Sequence, residues 1–105
     1  MDSKTVHATR QDIQVLDVRE DDEWTAGRIE GAVHIPLGAL EGRVSELDRD
    51  RPIVTVCRSG GRAGKAAEFL SDAGLQAEVM EGGMTQWAED ELPVTTPDGR
   101  PGQLA

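Results

Sequence analysis

The sequence predicts an α/β domain, a central parallel sheet with helices on both faces. Three observations predict it. Short apolar runs recur at residues 13–18, 32–35, 53–56 and 77–80. Stretches with helical spacing separate them, and strands that alternate with helices form parallel sheets covered on both sides. The length, 105 residues, suits one domain around one modest core.

The elements follow in order. Residues 1–10 form a short lead-in, with an edge strand expected at 5–8. Ile13-Gln14-Val15-Leu16-Asp17-Val18 is β-branched and mostly apolar, the composition of a strand. Residues 21–26 suit a short helix that Gly27 ends. Residues 32–35 form a second short strand, stopped by Pro36. Leu37, Leu40, Val44 and Leu47 recur at the spacing of one helix face, which predicts a helix over 37–47. Pro52 introduces a buried strand, Ile53-Val54-Thr55-Val56. A helix over 63–73 follows, with Gly74 as its stop. Residues 77–80 make the last strand, Gly82-Gly83 a turn, and 84–88 the start of a final short helix. Beyond Thr95 the pattern collapses into Thr, Pro, Asp and Gly, the composition of a mobile tail.

Composition narrows the function. Twenty acidic side chains against 11 basic ones give a net charge of −9. Phosphate backbones need clustered cations, so nucleic acid is not an expected partner. No apolar window reaches the ~18 residues of a membrane span, so no membrane is expected either. The first residues lack a basic segment followed by an apolar one, and no secretory signal is expected. One cysteine permits no internal disulfide, in keeping with a reducing, cytoplasmic setting. Against the acidic background, Arg58, Arg62 and Lys65 form a local cationic cluster that would attract an anion.

That cluster surrounds Cys57. The thiol stands where the strand at 53–56 meets Cys57-Arg58-Ser59-Gly60-Gly61-Arg62, directly before a helix. Such a junction aims backbone N–H groups and a helix N-terminus at one point. A thiolate, the reactive form of the side chain, is favoured there. A lone cysteine after a buried strand is ordinarily an inert core residue. Two arginines and two glycines beside it serve no apolar packing, and they tip the reading towards chemistry.

Several chemistries compete for this loop. A nucleotide-binding P-loop fails because Ser59 stands where its first glycine belongs and Ala66 replaces its hydroxyl. A zinc site fails because one cysteine and two distant histidines do not supply three or four ligands. Cysteine phosphatases place five residues between cysteine and arginine, whereas four separate Cys57 from Arg62. The tighter ring leaves little room for a tetrahedral phosphate in attack position, yet accommodates one sulfur carried on Cys57.

The chain resembles the single-domain rhodanese sulfurtransferases from about Ile13 to Pro93. The likeness rests on Leu16-Asp17-Val18-Arg19, on Glu23-Trp24-x-x-Gly27-x-Ile29-x-Gly31-Ala32-x-x-Ile35-Pro36, on the Cys57–Arg62 loop and on Glu81-Gly82-Gly83-x-x-x-Trp87. Where the family often has histidine after the glycine, this chain has Arg28, read as surface variation. The resemblance implies a rhodanese-like domain over residues 1–94, with 95–105 as the flexible tail. It implies a sulfurtransferase that carries sulfur as a Cys57 persulfide between a thiosulfate-like anionic donor and a cyanide, small-thiol or protein-thiol acceptor. No metal or organic cofactor is implied. Arg58 would steer the donor, and the backbone amides of Arg58, Ser59, Gly60, Gly61 and Arg62 would stabilise anionic sulfur. Gly60 and Gly61 would supply unusual backbone conformations. The Arg62 side chain would brace the loop against a carboxylate, and Asp17 and Arg19 would support it from the side. The alternative is a weakly catalytic rhodanese-like module that binds a partner or relays sulfur.

The remaining residues have plainer readings. Trp24 and Trp87 are expected as core anchors and Met80 and Met84 as packing. His34 is expected to be structural or partly exposed, and His7 incidental. Glu20-Asp21-Asp22-Glu23 is expected as a helix N-terminal charge set.

Overall fold

The computed structural model describes residues 1–104. Four strands form one parallel sheet in the order β2-β1-β3-β4. They are β1 (Gln14–Asp17), β2 (Val33–His34), β3 (Ile53–Val56) and β4 (Ala77–Val79). The register sets Leu16 opposite both Val33 and Thr55, and Asp17 opposite Val56. The β1–β3 pair is buried along its whole length, as strands of a sheet covered on both faces are, and it buries the polar Gln14, Asp17 and Thr55 along with its apolar residues.

Successive residues alternate between two cores, as the period of a strand requires. Leu16, Ile53 and Cys57 join Ala63, Ala66 and Leu70 of α4 (Gly61–Asp72). Val15, Val54 and Val56 join Met84 and Trp87 of α5 (Gly83–Glu89). Helices therefore cover both faces, as the alternation of elements predicts. Trp87, Met80 and Met84 are buried core residues, as expected.

Two local expectations need correction. Residues 5–8 are not an edge strand but part of a helix, α1 (Ser3–Thr9). The Asp2 carboxylate accepts the Thr5 amide at 2.8 Å and caps it, and Val6 anchors it in the α5-side core. The helix expected over 37–47 is broken into 3₁₀ turns at Leu37–Ala39 and Val44–Glu46 around a single α turn, α3 (Leu40–Arg43). Gly38 and Gly42 weaken a continuous helix, while Leu37, Leu40, Val44 and Leu47 still pack against one core. In the segment expected as a tail, described residues contact the domain. Thr95 exchanges two backbone hydrogen bonds with Arg28, at 2.9 and 3.0 Å, and the Gln103 amide donates to Ala26 at 3.0 Å.

The carboxyl ends of β1 and β3 lie side by side. From β1 the chain passes to one neighbour, β2. It then crosses to the other side for β3 and β4. The order reverses between β1 and β3, and in open α/β sheets ligands bind at such a reversal. Cys57 directly follows β3 and Arg19 follows β1 by two residues.

Candidate active site

Cys57 lies beneath a loop that connects β3 to α4. The residue is 1% exposed, while Arg58 and Ser59 above it are exposed. The Gly60 amide donates to Cys57 Sγ at 3.0 Å. Gly60 has φ +127°, and its carbonyl accepts the Gly64 amide at 2.8 Å, so the turn that presents its N–H to sulfur also starts α4. Gly61 differs from expectation. It is the first residue of α4 and has no positive φ.

The outer side of the loop is fixed by α5. The Met84 amide donates to Cys57 O at 2.8 Å and the Thr85 amide to Arg58 O at 3.0 Å. These carbonyls satisfy orphan donors at the start of α5. Gly83 makes the approach possible. A Cβ at this position would stand 2.5 Å from both of those carbonyl oxygens. Gly82 lies in a turn, as expected, whereas Gly83 is already the first residue of α5 and forms the surface on which the loop rests.

Arg62 pairs with a carboxylate, that of Glu23 of α2 (Asp21–Ala26). Arg62 Nη1 and Nη2 donate to Glu23 Oε1 and Oε2 at 2.7 and 3.0 Å. The pair is partly buried, with Glu23 15% and Arg62 34% exposed. The paired guanidinium holds the Glu23 carboxyl at about 2, and burial opposes this only in part. The same carboxylate accepts the Glu20 amide at 2.9 Å and completes a capping box at the head of α2. The acidic run 20–23 is a helix N-terminal set, as expected, but Glu23 also reaches the loop. Its position three residues after a capping carboxylate and its place at the head of the Glu23-Trp24-x-x-Gly27 motif are its local marks.

Asp17 and Arg19 are both buried and pair with each other, Arg19 Nη2 to Asp17 Oδ2 at 2.7 Å. Arg19 Nη2 also donates to Gly27 O at 2.7 Å. Their side-chain hydrogen bonds run to one another and to the end of α2.

Trp24 is not the core anchor expected of it, because α2 buries no residue. Its ring stacks on His34 with centroids 4.6 Å apart and planes 9° from parallel. The Arg28 guanidinium lies 4.2 Å from its ring centre, so Arg28 is a stacking residue rather than surface variation. His34 is half-buried and structural, and its Nε2 lies 2.8 Å from Arg19 O. Among the described residues no cluster of His, Cys, Asp and Glu could hold a metal ion. None of the described helices is long and apolar enough to cross a membrane.

A parallel sheet whose reversal point carries one thiol, with a loop amide on its sulfur, defines a small α/β domain with a single cysteine centre. The chain belongs to the rhodanese-like family: the rhodanese-like domain model matches residues 3–90. It is 33% identical over 93 residues to a sulfurtransferase of Allochromatium vinosum, covering 88% of this chain and 87% of that protein. It is 31% identical over 78 residues to the thiosulfate sulfurtransferase GlpE of Shewanella oneidensis, covering 73% and 77%. A rhodanese-related protein from Thermoplasma volcanium superposes with a TM-score of 0.87 at 34% identity, over 90% of this chain and 95% of that one. Sulfur transfer is the general chemistry to which this family and these relatives point.

Proposed function

We propose that the protein is a sulfurtransferase in which Cys57 carries the sulfur as a persulfide. The Cys57 thiolate attacks the outer sulfur of a thiosulfate-like donor. A new S–S bond forms to Cys57, the donor's own S–S bond breaks, and its electron pair leaves on sulfite. An acceptor nucleophile then attacks the outer sulfur of the persulfide. That S–S bond breaks and its pair returns to Cys57 as thiolate. The acceptor is external, because no second cysteine is available to resolve the persulfide. Cyanide, a small thiol or a protein thiol fits the requirement.

The observation that carries this reading is the Gly60 amide aimed at Cys57 Sγ. An N–H held at a sulfur stabilises anionic charge there, whether on thiolate or persulfide. The exposed Arg58 at the mouth supplies a cation for an anionic donor. The cytoplasm, a reducing setting, is the proposed location of an enzyme that works through a free thiol.

Mass spectrometry of the intact protein after exposure to thiosulfate tests the reading. An adduct of ~32 Da, one sulfur, is expected on the wild type. Cyanide should remove it as thiocyanate, and Cys57→Ser should never acquire it. The burial of Cys57 favours a second reading, a rhodanese-like module that binds a partner or relays sulfur with little turnover on small donors. Absence of both adduct and thiocyanate would select it. Aryl-phosphate hydrolysis that depends on Cys57, with no sulfur adduct, would point instead to phosphatase chemistry.

A further inference from the structure

We propose that Glu23 is a positioning residue for the Cys57 loop, acting through Arg62. The inference rests on the sulfurtransferase reading for its catalytic consequence and on geometry for everything else. Glu23 grips Arg62 by both carboxylate oxygens, at 2.7 and 3.0 Å. A two-point fork fixes direction as well as distance, unlike a single charge contact. Arg62 is the second residue of α4, two positions beyond the Gly60 whose amide touches Cys57 Sγ. A rotation of this first turn would carry that amide off the sulfur.

The grip has a fixed base. Glu23 Oε1 accepts the Glu20 amide at 2.9 Å, and the Gly27 amide closes α2 onto Glu23 O. Gly27 O in turn accepts Arg19, which is locked onto the buried Asp17 at the end of β1. A continuous path therefore runs from the sheet through Arg19, Gly27, α2, Glu23 and Arg62 to the loop. Arg62 lowers the Glu23 carboxyl to about 2, so the fork stays ionised well below the range where an ordinary carboxylate protonates.

Capping α2 is the simpler account of Glu23, and one substitution separates the two. Glutamine serves the capping position as well as glutamate, so Glu23→Gln keeps the bond to the Glu20 amide and removes the charged fork. A residue that only caps would tolerate it. The test compares wild type, Glu23→Gln, Arg62→Ala and the double variant, by thiosulfate:cyanide turnover and by the rate of Cys57 alkylation with iodoacetamide. Should Arg62→Ala fail to fold, Arg62→Lys replaces it, keeping the charge without the fork. Glu23→Gln is expected to lower kcat about ten- to 100-fold with the thiosulfate KM changed less than about threefold. Alkylation should rise severalfold as the loop loosens over the buried thiol. In the Arg62→Ala background Glu23→Gln should change each rate by less than about twofold, because its route to the loop is gone. Wild-type rates in Glu23→Gln, or an equal loss in both backgrounds, would overturn the proposal. If the wild type itself transfers no sulfur, the sulfurtransferase reading fails, and the alkylation rates still decide whether Glu23 holds the loop.

Discussion

Gly60 gives its amide hydrogen to Cys57 Sγ across 3.0 Å while holding φ at +127°. The same residue supplies the contact and the positive-φ turn that leads into α4. A Cβ at Gly60 or at Gly61 would meet nothing within 4 Å, so space does not distinguish the two glycines. Conformation does.

Gly60→Ala is therefore predicted to cost about 1–3 kcal/mol through backbone strain alone. Its turnover should fall about 100-fold if the amide is displaced, the scale of one lost donor at an anionic centre. Gly61→Ala should be neutral or stabilising by up to about 1 kcal/mol, with near wild-type activity. Urea denaturation and thiocyanate formation measure both. Equal behaviour of the two variants would remove the special role given to Gly60.

Gly83 presents the opposite case, in which space and conformation act together. Its φ is +57°, and a Cβ would press on backbone carbonyls, which cannot swing aside as a flexible side chain does. Gly83→Ala is predicted to lose about 2–4 kcal/mol and to fall below Gly60→Ala in melting temperature. Because the displaced carbonyls belong to Cys57 and Arg58, turnover should fall even at temperatures where the variant is fully folded. A folded Gly83→Ala with wild-type kcat would show that the loop does not depend on its seat at α5.

These glycines also mark what local sequence can and cannot disclose. The strands, α4 and α5 were legible because β-branched runs and glycine stops are local signals. The Cys57–Arg62 loop was legible because its composition is wrong for packing. The strand expected at 5–8 failed because Thr5 and Val6 favour strand locally, whereas the Asp2 cap and the burial of Val6 decide for helix. Trp24 is expected in the core, yet its stacking partner His34 comes from β2, ten residues away. The Thr95–Arg28 ladder and the Glu23–Arg62 fork join residues 67 and 39 positions apart. Folding alone creates such pairs, and no window of sequence contains both members.

Acid should expose the Glu23–Arg62 fork. The folded carboxyl sits at about 2 against an ordinary value of 4.5. A depressed carboxyl contributes stability that is complete above its unfolded value and lost as the pH falls through its folded one. The window is thus from about 4.5 down to about 2. Above it the fork is predicted to be worth about 1–2 kcal/mol, reduced by solvent screening because Arg62 is a third exposed. Wild type should exceed Glu23→Gln by this margin at pH 7, and the gap should narrow as the pH falls below 4.5. Urea titrations at pH 7, 4 and 3 would check it, and a gap that stays constant would mean that ionisation of Glu23 is not its source.

Arg58 is predicted to act at longer range than any of these contacts. The chain carries a net charge of −9, which repels a dianion such as thiosulfate, and Arg58 stands exposed beside the loop mouth. A local cation against a like-signed surface raises the donor's concentration at the site without touching the bond that breaks. Arg58→Ala should therefore raise the thiosulfate KM about three- to tenfold and leave kcat within about twofold. Steering also predicts a salt signature. The screening length falls from about 10 Å at 0.1 M to about 3 Å at 1 M ionic strength, so the difference between wild type and Arg58→Ala should shrink over that range. Arg58→Lys should retain most of the effect, because a point charge suffices for attraction. A KM that does not change, or a loss confined to kcat that salt leaves untouched, would mean that Arg58 works on the reacting sulfur rather than on the donor's approach.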